Sequence, residues 1–145
     1  MTKGWTGRLE RSTGLYEKVL LDTILKHEIA QCNLYGNPLA VLMLAICGTL
    51  PEDEDLRLKA TTIVVHVINS NLRSSDMPGH YGDDYLILMP YTDAEGALSV
   101  GERLHEQTSE LFDMPGLENL TICTGFAIHG GGDSVEPPEL INRAQ

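Results

Sequence analysis

At 145 residues, with 42% apolar and 21% charged side chains, the chain has the size and composition of one soluble globular domain with its own core. Its formal net charge of −11 argues against a nucleic-acid surface, which needs clustered Lys and Arg, but leaves room for one small anion held by local arginines. The longest apolar run, Leu39 to Cys47, is too short to span a bilayer, and Met1 to Arg11 has no signal-peptide apolar region, so no direct membrane insertion of this segment is expected.

Residues 1–14 hold Gly4, Gly7 and Gly14 with little apolar content and read as a loop. From Leu15 to about Leu34, apolar residues recur at helical spacing (Val19, Leu20, Ile24, Leu25, Ile29), and Gly36-Asn37-Pro38 stops the helix. Leu39–Cys47 reads as a strand buried on both faces. After an acidic loop through Pro51–Asp55, Leu56–Leu72 reads as a second helix, against the β propensity of Thr61 to Val65. Pro78-Gly79 marks a turn, and Tyr81-Gly82-Asp83-Asp84 a hairpin turn with Tyr85–Met89 returning. Thr92 or Asp93 caps a helix from Ala94 to about Phe112, Leu120–Ile128 is a further strand, and Pro137-Pro138-Glu139 opens a last helix that stops at Gln145. This order predicts an α/β (α+β) sandwich: one central, mostly antiparallel sheet flanked by helices.

The three cysteines, Cys32, Cys47 and Cys123, show no C-x-x-C spacing, and free thiols in a reducing cytoplasm are the expectation. The five histidines show no metal-ligand spacing. Gly130-Gly131-Gly132-Asp133 lacks the Lys-Ser/Thr of a P-loop and reads as a linker.

Several stretches together resemble the GGDEF domain, the bacterial diguanylate cyclase family. Glu10-Arg11-Ser12-Thr13-Gly14-Leu15 resembles its opening D-x-L-T-G-L motif. Gly82 to Pro90 is similar to the signature hairpin and its returning strand, Thr121 to Ala127 to the late T-x-S-x-G-x-A strand, and Leu140 to Gln145 to the start of the final helix. The resemblance covers nearly the whole chain and implies a single nucleotide-cyclase-like domain over residues 1–145, excised from a longer protein.

What the resemblance implies for catalysis is loss. Family members need a Gly-Gly turn beside the substrate phosphate and carboxylates for two divalent cations. The strand positions that read roughly L-x-D-I-D in the family carry Ala45-Ile46-Cys47, and neither alanine nor cysteine suits Mg²⁺. The signature is reduced to Gly82-Asp83-Asp84-Tyr85, with one glycine missing in either register. The resemblance therefore implies a degenerate domain with no catalytic residues, no metal and no cofactor.

What it keeps is the inhibitory-type site for the product, cyclic di-GMP. In many active members R-x-x-D lies five residues before the signature, and Arg73 and Asp76 match it. A second arginine from an A-E-R-I-like stretch completes that site, and Arg103 in Gly101-Glu102-Arg103-Leu104 corresponds. An arginine fork suits a phosphate oxygen or the guanine O6/N7 edge, and a carboxylate accepts from guanine N1–H and N2–H. An R-x-x-D somewhere in a chain this long has about even odds by chance, but at one fixed register less than about one in a hundred. The plain alternative is a solvated pair: Arg73 suits a helix C-terminus and Asp76 a turn cap.

The expected function is a catalytically inactive signalling receptor that binds cyclic di-GMP through Arg73, Asp76 and Arg103 and acts on a protein partner, a neighbouring domain or a second copy, with biofilm polysaccharide or motility as output. The rivals are a structural or dimerising domain without nucleotide binding, and a residual cyclase using Asp83 or Asp84.

Overall fold

The computed structural model describes residues 15–129. The opening motif at Glu10–Gly14, the Gly130–Gly132 linker and the last helix from Pro137 lie outside them. The described chain runs α1 (Lys18–Tyr35), β1 (Leu39–Cys47), α2 (Glu54–Asn71), β2 (Met77–Tyr81), β3 (Asp84–Pro90), α3 (Ala94–Leu111) and β4 (Thr121–His129).

Each helix is bounded by the chemistry of its ends. Gly36 closes α1 in the left-handed region at φ 75°, donating its N–H to the Cys32 carbonyl at 2.7 Å. Asp53 caps α2 by accepting from the Asp55 N–H at 2.8 Å, and Glu54 and Asp55 suit the positive end of the helix dipole. The β-prone Thr61 and Thr62 are accommodated because their hydroxyls donate back to the Arg57 and Leu58 carbonyls at 3.2 and 2.8 Å. Asp93, not Thr92, caps α3, accepting from the Gly96 N–H at 2.9 Å.

The sheet order is β2-β3-β1-β4, every strand pair antiparallel. β1 is interior, which explains its unbroken apolar sequence. Ala40, Leu42 and Leu44 pack with Val64, Ile68 and Leu104 of α2 and α3. The alternate residues Leu39, Val41 and Met43 pack with Leu21, Ile24 and Leu25 of α1. The result is three layers, with α1 on one face of the sheet and α2 with α3 on the other.

Three readings are corrected. Helix α1 begins at Lys18, because Tyr16 is taken up by β2: its N–H donates to the Pro78 carbonyl and its carbonyl accepts from the His80 N–H. Pro78 and Gly79 are not a turn but part of β2. Proline is tolerated there because β2 is an edge strand. Gly79 fits because a Cβ would lie 2.6 Å from a Leu21 methyl and 3.0 Å from the Tyr16 carbonyl oxygen.

The thiols, too, differ from the expectation of three free cysteines. Cys47 pairs in register with Thr121, and Cys123 with Ala45, so the two cysteines are diagonal neighbours on one face of β1 and β4. Their Cα atoms are 6.0 Å apart and the sulfurs are bonded in a disulfide. At a sequence separation of 76, spacing carries no sign of the pairing. The bond removes the thiol argument for a reducing compartment. Cys32 remains free and buried, and burial, helped by Glu28, pushes its thiol pKa up and keeps it unreactive. Protein purified without reductant should therefore yield one titratable thiol on unfolding and three after reduction. Three thiols in the unreduced, unfolded chain would show that the bond does not form.

Among the described residues no helix is long and apolar enough to cross a membrane.

Candidate functional site

The Arg73–Asp76 segment is the turn that joins α2 to β2. It closes by the Asp76 N–H donating to the Arg73 carbonyl at 3.0 Å. The Asp76 carboxylate is buried, 3% exposed, and accepts three bonds from Arg73: from the backbone N–H at 2.9 Å, Nε at 3.3 Å and Nη2 at 3.0 Å. Nη2 also donates to Thr92 Oγ1 at 2.6 Å and the Pro90 carbonyl at 3.1 Å, tying the turn to the end of β3. These bonds to Asp76 raise the Arg73 pKa still further, against a smaller desolvation effect, so the guanidinium is a permanent cation. Its side chain is nevertheless 55% exposed, leaving a charged edge open beside an anchored one.

Arg103 arrives from α3. Its Nε donates to Asn71 Oδ1 at 3.0 Å. Gln107, one turn further along α3, exchanges bonds with the Asn71 amide at 2.9 and 3.2 Å. The last residue of α2 thus acts as a bracket that sets the second arginine on the same side as the first. Arg73, Asp76 and Arg103 all line one open cavity of about 310 Å³, together with Thr92, Asp93 and Tyr91. Two guanidiniums over a buried carboxylate, in a concave and partly polar site, suit an anion with flat hydrogen-bonding edges.

Asp76 does not offer the open carboxylate edge expected from sequence. Arg73 occupies it, so in this state Asp76 orients the arginine. Three contributors carry no sequence signal of a binding site: Thr92 reads as a helix cap, and Asn71 and Gln107 have partners 32 or more residues away.

The signature residues lie elsewhere. Tyr81 pairs with Asp84, leaving Gly82 and Asp83 as a two-residue hairpin loop, with Gly82 at φ 66°. That loop is at the opposite end of β3 from Pro90, about 20 Å away at the usual rise per residue. Asp83 is exposed, whereas Tyr85 is buried against His80, with ring centroids 5.7 Å apart. Tyr81 lies under the Lys18 ammonium at 4.7 Å. Both tyrosines are therefore packed in place.

The residues at the hairpin end do not fit a two-cation centre. Ala45 has no ligand atom, the Cys47 sulfur is committed to Cys123, and among the described residues no three His, Cys, Asp or Glu side chains converge.

No family model matches the chain. Response regulator PleD of Caulobacter vibrioides is 30% identical over 93% of the chain and 32% of its own length. The diguanylate cyclase SiaD of Pseudomonas aeruginosa, solved with its activator SiaC, superposes with a TM-score of 0.78 at 22% identity, covering 97% of this chain and 56% of that one. The coiled-coil and GGDEF segment of DgcB from Caulobacter crescentus, solved with c-di-GMP, gives a TM-score of 0.77 at 16% identity, covering 95% of this chain and 76% of that one. The chain spans about a third of the length of the curated relatives it matches. Its fold is that of GGDEF domains, and relatives and solved neighbours together support a GGDEF, diguanylate cyclase-type domain.

Proposed function

Taking the chain as a GGDEF-type domain, we propose that it binds cyclic di-GMP and does not make it, acting as a receptor within a longer signalling protein. The observation that carries this reading is the contrast between the two ends of the sheet. One end gathers Arg73, Asp76 and Arg103 around a single cavity. The other presents Ala45 and a disulfide-bonded Cys47 in place of carboxylates. In a chain of net charge −11, two local guanidiniums supply the attraction that two phosphodiester charges need. The output falls on a partner protein or neighbouring domain, with biofilm or motility control as the expected process.

The test is selective thermal stabilisation. Cyclic di-GMP at about 100 times its Kd should stabilise the fold by about 2.7 kcal/mol through linkage, whereas GTP with Mg²⁺ should shift the midpoint little. GTP incubated with Mg²⁺ or Mn²⁺ should yield no cyclic dinucleotide. Product formation would make the domain a residual cyclase, and stabilisation by neither ligand would remove the receptor reading. Asp84→Ala, at the hairpin end, should leave the cyclic di-GMP shift unchanged; losing it there would move the site to the hairpin.

A further inference from the structure

Tyr91 is the one described non-glycine residue with a left-handed backbone, at φ 59°. Bulky L side chains seldom adopt this conformation, and it persists where the surroundings enforce it. Here they do. The Tyr91 N–H donates to the Pro38 carbonyl at 2.8 Å, fixing the residue to the start of β1. Its two neighbours, Pro90 and Thr92, both accept from the Arg73 guanidinium. Despite this anchoring, Tyr91 is 67% exposed, and it lines the cavity that holds Arg73 and Arg103. A strained backbone that presents an aromatic side chain to solvent is no gain for the core. Asparagine or glycine would meet the same turn with less strain.

We infer that Tyr91 is a stacking platform for a purine of the bound dinucleotide, with the two arginines taking its phosphates or base edges. The inference rests on the cavity being a cyclic di-GMP site, and adds a base contact to it. Aromatic faces contribute to nucleic-acid binding by stacking on bases whatever their sequence, and a cation beside the stack strengthens it. A tyrosine pinned at the backbone loses little freedom on binding.

The test compares cyclic di-GMP affinity in the parent domain, Tyr91→Gly, Tyr91→Phe and Tyr91→Trp, with Arg73→Ala alongside. Glycine at φ 59° relieves strain, so Tyr91→Gly should keep or raise the thermal midpoint while losing affinity at least about tenfold. Tyr91→Phe should bind within about twofold of the parent, because the ring face is retained. Tyr91→Trp should bind, and its indole emission should be quenched by the ligand, measured against the parent, whose single tryptophan is Trp5. Parent-like binding by Tyr91→Gly, with Arg73→Ala impaired, overturns the stacking role and leaves the site standing. No binding by the parent overturns both.

Discussion

Replacing Arg73 by alanine is expected to weaken cyclic di-GMP binding at least tenfold, about 1.4 kcal/mol. The reason lies in the division of the guanidinium into two edges. One is held by Asp76, Thr92 and the Pro90 carbonyl, so the charge is already oriented when ligand arrives. The other, on a side chain 55% exposed, is open to an anion. Preorganised charge-assisted hydrogen bonds contribute more to affinity than mobile ones. Arg73→Lys should not restore binding, because one ammonium cannot replace a fork engaged on two sides. Arg73→Ala also takes two donors from the buried Asp76 carboxylate, so some loss of stability is expected and affinity is read on the folded variant. Calorimetric titration of each variant checks the affinity. An unchanged Kd in Arg73→Ala would contradict the site assignment and leave the network as a purely structural tie between α2, β2 and β3.

Asp76→Ala should have a different signature, lowering stability and affinity together. Its carboxylate is 3% exposed and accepts three bonds, one of them from the Arg73 backbone N–H. Deleting the acceptor removes all three bonds from the turn between α2 and β2, at a cost of about 1–3 kcal/mol. It also frees Arg73 to move, so binding should weaken as well. Urea denaturation measures the first effect and titration of the folded variant the second. Asp76→Asn, which keeps an acceptor oxygen, should recover part of the stability and less of the affinity. A fully stable Asp76→Ala would mean that the buried carboxylate does not organise this turn.

Most of the architecture was legible because it follows from local rules. β1 follows from its unbroken apolar run, with the bounds observed, and the stop of α1 at Gly36 and a cap for α3 at Thr92 or Asp93, of which the structure uses Asp93, follow from backbone chemistry that neighbouring residues determine. The Pro78-Gly79 reading failed for an equally physical reason. The dipeptide usually signals a turn, but an edge strand dispenses with the proline N–H, and α1 packs too closely for a side chain at Gly79. The disulfide escaped because register between β1 and β4, not spacing, brings Cys47 to Cys123. The candidate site was legible only in its charged letters. Arg73 and Asp76 are a local pattern, whereas the Asn71–Gln107 bracket under Arg103 and the left-handed Tyr91 at the rim arise from tertiary packing.

Calorimetric titration of the purified domain decides whether the cavity lined by Arg73 and Arg103 receives cyclic di-GMP. Binding is expected in the micromolar range or tighter, with a ligand-to-protein ratio near two for a self-stacked dinucleotide pair. Absence of heat and of any thermal shift up to high micromolar ligand would contradict it, and would leave the two arginines as ties that hold α2, β3 and α3 together.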